Sequence, residues 1–300
     1  MILTVTLNAA LDVTYQVPAV QWDGVNRVTA VHRRAGGKGV NVARVLSALG
    51  QDVLVTGLAG GPTGRAIEAD LRAAGLPAAL APIAGESRTT LVVSQPSGAT
   101  LFNEPGPPVT EDEVGNFLAH YESLLDGARA VVISGSLPRG VPADMYATLA
   151  AVAAARDVPA IVDADGEPLR HAPLGRPAVV KPNAEELARA VPHGTPEQGA
   201  EALRDRGAEA VVVSMGADGL LAVTAEGVLR ARMPYKVDGN PTGAGDALVA
   251  GLALGLVERS PWHDRLRRAA ALGAAAVAAP LAGDFDRDVY TDVHPLIEIL

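Results

Sequence analysis

Cysteine is absent from all 300 residues. That absence removes disulfides, thiolate-ligated zinc, iron–sulfur clusters and thiol nucleophiles together, and it fits a reducing compartment. A basic excess is also missing. Lys and Arg number 25 against 34 Asp and Glu, for a net charge of -9. A diffuse acidic balance argues against nucleic acid or an anionic membrane as partner, because both are polyanions. The six histidines, at 32, 120, 171, 193, 263 and 294, form no close pair that would ligate a metal. The N-terminal MILTVTLNAALDV has neither a basic start nor a long apolar stretch, so no signal peptide is expected. The most apolar run, 269–283, is short, alanine-rich and holds a proline. It predicts a buried helix, not a membrane span. A cytoplasmic protein is the expectation.

Hydrophobic residues make up 48% of the chain and charged residues 20%. That is enough for a sizeable core and too apolar for disorder. Short β-rich runs alternate with helical periodicity. Strands are predicted at 2–7, 53–58, 130–134, 160–163, 178–181 and 210–214. Helices are predicted at 38–49, 64–74 and 142–156, with another after the glycine-rich turn that opens 241–256. The continuous apolar look of the later runs marks strands buried on both faces. The rhythm implies an α/β fold with a mostly parallel sheet. Segments 12–34 and 89–104 break it with alternating polar and β-branched residues, and predict a small antiparallel lid. No low-complexity linker, charge block or internal repeat divides the chain, so residues 1–300 read as one domain.

Three glycine clusters stand where strands feed helices. Gly36-Gly37-Lys38-Gly39 with Asn41 places a cation and an amide at a helix start. Closely spaced glycines let backbone approach a ligand there, or simply make a turn. The second cluster, 57–64, has the wrong glycine spacing for a dinucleotide fingerprint and no Lys-Ser/Thr pair for a phosphate loop. The third, Gly243-Ala244-Gly245-Asp246, reads as an anion-binding nest at a helix start, formed by the amides of 242–246. Asp246 is then either a helix cap or a carboxylate that receives a hydroxyl proton beside a held phosphoryl group. In Lys181-Pro182-Asn183, with Glu186 three residues on, a carboxylate at a helix start suits Mg²⁺ held through water, or only enriches the helix N-terminus in acid. Ser214, Gly216 and Gly219 lie in a strand-end turn that either covers a nucleotide or only makes a hairpin.

Taken in order, these motifs resemble the ribokinase-like sugar kinases of the phosphofructokinase B family over nearly the whole chain. Residues 6–12, ending in Asp12, are similar to the family's opening strand and substrate-binding aspartate. Residues 36–43 and 243–246 are similar to its two signatures, and Ser134-Gly135-Ser136-Leu137-Pro138 falls in the family's order. The resemblance implies a three-layer α/β/α fold with a β-strand lid, and an ATP- and Mg²⁺-dependent kinase. Asp246 would be the catalytic base, with Gly243, Ala244 and Gly245 as anion hole. The sugar side would be Asp12, Gly37, Lys38, Asn41, Asn103 and Ser136, with Arg27 and Arg88. The nucleotide side would be Lys181, Asn183, Ser214, Gly216, Gly219 and Thr242, and Glu186 would face the metal.

Asn26-Arg27, Arg88 and Asn103-Glu104 look like the branch that phosphorylates hexose phosphates: fructose 1-phosphate, fructose 6-phosphate or tagatose 6-phosphate. That likeness implies Arg88 and Lys38 on the existing phosphate, and a homodimer formed through the lid with Arg27 reaching the neighbouring site. Pro241 stands where many relatives carry Thr or Ser, so it supplies neither a hydroxyl nor an amide to ATP. Asp246 is expected to be an ordinary, low-pKa carboxylate. Other readings are a kinase of an unphosphorylated sugar or nucleoside, and a non-catalytic sugar-phosphate sensor.

Overall fold

A computed structural model describes residues 1–96 and 98–300. Ser97, within the predicted 89–104 lid segment, lies outside the described residues. The apolar runs form strands because β-branched residues pack on both faces of a covered sheet. The central strands are β1 (Ile2–Thr6), β4 (Val53–Ala59), β5 (Ala78–Pro82), β8 (Ala130–Ser134), β9 (Ala160–Asp163), β10 (Val179–Val180) and β11 (Val211–Ser214). All of these run parallel. The hairpin β12 (Leu220–Thr224) and β13 (Gly227–Arg232), then β14 (Glu298–Ile299), extend one edge antiparallel. The sheet order is β14-β13-β12-β11-β10-β9-β8-β1-β4-β5.

Alternate side chains of each strand enter two separate cores. Val132 and Ile161 join one; Val131, Ile133 and Val162 join the other. The first core is covered by α1 (Lys38–Ala48), α2 (Gly61–Ala73), α8 (Ala244–Glu258), α9 (Trp262–Val277) and α10 (Arg287–Val293). The second is covered by α3 (Glu111–Leu124), α4 (Met145–Ala154), α5 (Gly166–His171), α6 (Ala184–Ala190) and α7 (Pro196–Asp205). The architecture is the expected three-layer α/β/α sandwich. Pro62, the second residue of α2, is tolerated because the first-turn amides of a helix need no partner within it. Capping boxes start α3 (Thr110–Glu113), α6 (Asn183–Glu186) and α7 (Thr195–Gln198). The buried helix expected at 269–283 is the second half of α9, which ends at Val277 ahead of Pro280. Among the described residues no helix is long and apolar enough to cross a membrane.

The lid is a separate four-stranded sheet in the order β3-β2-β6-β7, with β2 (Ala10–Gln16), β3 (Ala30–Gly36), β6 (Arg88–Gln95) and β7 (Gly98–Asn103). It corrects the antiparallel expectation at one point: β2 and β6 pair in parallel. Both strands leave the same edge of the central sheet, β2 after β1 and β6 after β5, so they run outward together. The returning strands β3 and β7 pair antiparallel on either side.

Candidate active site

From β1 the chain first builds the sheet toward β5, then crosses to β8 and builds the other way. The carboxyl ends of strands beside such a reversal leave a crevice for ligands. Here that edge gathers Asn8 after β1, Ser134 and Ser136 around the end of β8, Asp163 ending β9, Lys181 after β10 and Ser214 ending β11. The N-termini of α1 and α8 open toward it.

Asp163 forms the floor and is fully buried. Its Oδ1 lies 3.1 Å from Lys181 Nζ and 3.3 Å from Lys38 Nζ, while the Ser134 hydroxyl donates to Oδ2 at 3.1 Å. Burial alone would raise its pKa, but Lys181 and Lys38 outweigh burial and hold it below the usual carboxylate range. Asp163 in turn pushes the Lys38 amine up. Glu186 Oε1 stands 4.0 Å from Lys38 Nζ, and its Oε2 accepts the Asn183 amide at 2.8 Å.

Asp246 is another buried carboxylate, in the first turn of α8. It is not the cap, since Gly243 holds that position with φ 87°. A Cβ there would also lie 2.9 Å from Ala282 Cα, so glycine is required. Asn41 Nδ2 donates to Asp246 Oδ2 at 2.8 Å. Burial, then the nearby Asp163 charge, raises Asp246 to about 7, against the pull of Lys38, Asn41 and Lys181. The low-pKa expectation is therefore corrected: Asp246 is poised near neutrality.

The turn before α8 is also less open than expected. Asn240 Oδ1 accepts the Thr242 amide and the Pro241 carbonyl accepts that of Ala244. The amides of Gly243, Gly245 and Asp246 meet no protein acceptor among the described residues. Beside them lies a cavity of about 520 Å³. Leu220, Val237, Leu248 and Val277 give it apolar walls, and Asn183, Ser214, Gly216, Gly219 and Gly245 bring polar groups to it. Lys181 sits under this edge and is committed to Asp163. A second cavity, of about 530 Å³, is lined by Lys38, Ser136, Arg139 and Glu186.

At the root of the lid, Asp12 is raised to about 6 by burial, against the Thr90 hydrogen bond and the charges of Arg88, Arg34 and Arg44. Gly36 leaves room there for the Asp12 carboxylate, since a Cβ would stand 2.0 Å from Asp12 Oδ2 and displace it. Arg88 donates from Nε to the Asn8 carbonyl at 3.0 Å and from Nη1 to that of Glu104 at 3.3 Å. Asn8 Nδ2 donates to Ser136 Oγ at 3.1 Å, and its buried Oδ1 has no partner among the described residues.

The profile of the pfkB family carbohydrate kinases matches residues 5–287. The chain belongs to that family. It is an ATP-dependent carbohydrate kinase, of a family that uses Mg²⁺. Phosphofructokinase-2 from Escherichia coli, solved in complex with fructose-6-phosphate, is 30% identical and superposes with a TM-score of 0.86, over 98% of each chain. A Thermotoga maritima protein described as a possible 1-phosphofructokinase is 28% identical with a TM-score of 0.88, over 100% of this chain and 98% of that one. A carbohydrate kinase from Agrobacterium tumefaciens, 20% identical over 100% of this chain and 99% of that one, shares the fold at a TM-score of 0.78.

The kinase brings most of the residues expected from its sequence to one edge, with three departures. Arg27 is exposed and lies beyond the Gln16–Ala30 end of the lid, a strand's length of about 13 Å from the Asp12–Arg34 pair. Lys38 and Arg88, expected together on one phosphate, stand in different networks, and Lys38 shares the Asp163 carboxylate with Lys181. Thr242 is exposed, its amide taken up within the turn. Asn103 pairs in register with Thr90 at the lid root and is exposed. Gly37 precedes α1 with φ 109°. Sequence reading missed Asp163, Ser134 and Asn8 as site residues. A carboxylate ending an otherwise apolar parallel strand was the available signal for Asp163.

Proposed function

We propose that this kinase transfers the γ-phosphoryl group of ATP to a hydroxyl of a ketohexose phosphate, giving a bisphosphate. One observation carries the reading. A buried carboxylate poised near pH 7 stands beside unpartnered helix-start amides, of which Gly245 lines a cavity of about 520 Å³. The Gly243, Gly245 and Asp246 amides receive the charge of the transferring group. Asp246 accepts the proton of the attacking hydroxyl while Asn41 fixes the carboxylate. Asp12 and Asn41 hold sugar hydroxyls. Asn183, Ser214, Gly216 and Gly219 line the nucleotide.

The donors fit a metal held mainly by phosphates and water. Glu186 Oε1 is the carboxylate oxygen left over by the capping box, and no group of three His, Cys, Asp or Glu forms a cage among the described residues. Mg²⁺ there supplies neutralisation of phosphate charge.

Among the described residues Arg88 Nη2 has no protein partner at the lid root, which suits an acceptor phosphate. The phosphofructokinase names of the relatives agree. Comparing kcat/KM for fructose 1-phosphate, fructose 6-phosphate and tagatose 6-phosphate, with the unphosphorylated sugars as controls, tests it. Equal turnover of the free sugars overturns the phosphate requirement. Residues 1–300 are read as one kinase domain, with the segments about 12–34 and 89–104 as its lid.

A homodimer through the lid belongs to the same proposal. Trp22, Val25, Val31, Leu101 and Phe102 are exposed apolar residues on the lid or its connecting loop. Pairing there would carry Arg27 to a neighbour's site. A monomer by sedimentation at enzyme concentrations in the micromolar range would overturn it. One observation favours a second reading, an acceptor without phosphate: Lys38 is paired with Asp163 and does not stand beside Arg88. The same substrate panel decides between them.

A further inference from the structure

The lid and the catalytic turn are joined by a charge pair outside the site itself. Arg34, in β3, forks its guanidinium onto Asp284: Nη2 lies 2.6 Å from Oδ1 and Nη1 3.0 Å from Oδ2. Asp284 ends the 280–284 turn that follows α9. That turn backs the catalytic machinery in two places. Ala282 lies against Gly243 at the start of α8, where a Cβ would come within 2.9 Å of its Cα. Gly283, with φ +84°, lies against Asn41, the residue that holds Asp246; a Cβ there would stand 3.1 Å from Asn41 Oδ1.

The same strand of the lid has a second tether beside the first. Arg44 Nη2 donates to Asp70 at 2.6 Å and to the Ala35 carbonyl at 3.3 Å, and the Ala35 amide donates to Asp70 at 2.8 Å. Arg44 Cδ also packs against Gly283. At its lid end Arg34 stands opposite Asp12 in register. One strand therefore touches the acceptor side through Asp12 and, through Asp284, the turn behind Asn41 and Asp246.

We propose that Arg34 and Asp284 are a positioning pair that couples the seating of the lid to the alignment of Asn41 and Asp246. The inference rests on reading Asp246 as the base and the lid as the acceptor's cover. Neither residue is among those proposed to hold a substrate. The side chains are 24% and 42% exposed, so the pair adds little to global stability. Its importance is geometric, because a two-pronged contact fixes direction as well as distance.

The test is a double-mutant cycle on the full chain, with the acceptor that the wild type turns over fastest. Failure of the ketohexose-phosphate reading therefore leaves this test intact. Failure of the base reading appears separately, as retained turnover in Asp246→Asn. Asp284→Asn is expected to lower kcat about fivefold to tenfold, with KM for ATP changed less than about twofold. Its thermal midpoint stays within about 2 °C of wild type. In an Arg34→Gln background the same substitution lowers kcat by less than about twofold. Asp284→Glu restores most of the activity. Losses that multiply in the double variant, an unchanged kcat in Asp284→Asn, or a fall in thermal midpoint parallel to the loss of activity would overturn the proposal.

Discussion

Two regions of the same crevice each bury a carboxylate, and they hold it in opposite states. At the end of β9, Asp163 meets two lysines and a hydroxyl, and stays ionised below the ordinary range. In the first turn of α8, Asp246 meets one amide and the field of Asp163, and rises to about 7. Burial acts the same way on both; the count of charged partners decides the outcome. A carboxylate already paired with cations is a poor proton acceptor and a good anchor. One left near neutrality can take a proton and give it up at working pH.

The largest expected effect breaks the contrast from the Asp246 side. Asp246→Asn should lower kcat about 10²- to 10⁴-fold with little change in KM for ATP. Turnover within a few-fold of wild type would remove Asp246 as the base. The same variant should be more stable than wild type at neutral pH. The unfolded carboxylate ionises near 3.8 and the folded one near 7. The wild type therefore binds more protons when folded between those values, and loses stability as pH rises through that window. Urea unfolding of both proteins at pH 4 and pH 7.5 measures the difference, and a gap that fails to widen with pH contradicts the raised pKa.

Asp163→Asn attacks the other side. It strands Lys181, almost wholly buried, without its counter-charge, at a cost of about 3–5 kcal/mol in unfolding free energy. A loss under about 1 kcal/mol would mean that Lys181 finds water or another partner. Arg88→Ala should raise KM for the acceptor tenfold or more while leaving KM for ATP unchanged; equal effects on both would take Arg88 off the acceptor. The smallest effect sharpens the comparison. The kcat/KM of the wild type should climb with pH and reach half its plateau near 7, because only the ionised Asp246 accepts a proton. Asn41 favours the ionised form by donating to it, so Asn41→Ala should move that midpoint upward. A downward shift would reverse the sign argued here.

Local chemistry made much of this legible in one dimension. Runs such as AVVIS at 130–134 and AIVD at 160–163 are strands because nothing else buries β-branched residues on both faces, and they were read within a residue or two. Gly243 to Asp246 were read as a helix-start nest because glycine at a positive φ before a helix leaves amides free. The run at 178–181 holds the two-residue strand β10, and the Asn183–Glu186 box marks the start of α6, whose seven residues carry too little periodicity to show its length.

The sequence by itself determined the alternation of strands and helices, and with it the α/β sandwich. It also determined which turns could hold an anion and that no thiol takes part in the chemistry. Those properties follow from neighbouring residues, whose spacing and side-chain shape act within one turn or one strand. The tertiary structure alone decided that β2 and β6 run parallel, because their direction depends on the edge of the sheet from which both depart. It alone decided the ionisation of Asp163 and Asp246. Each depends on partners more than a hundred residues away or on the depth of burial, and neither is a property of local sequence.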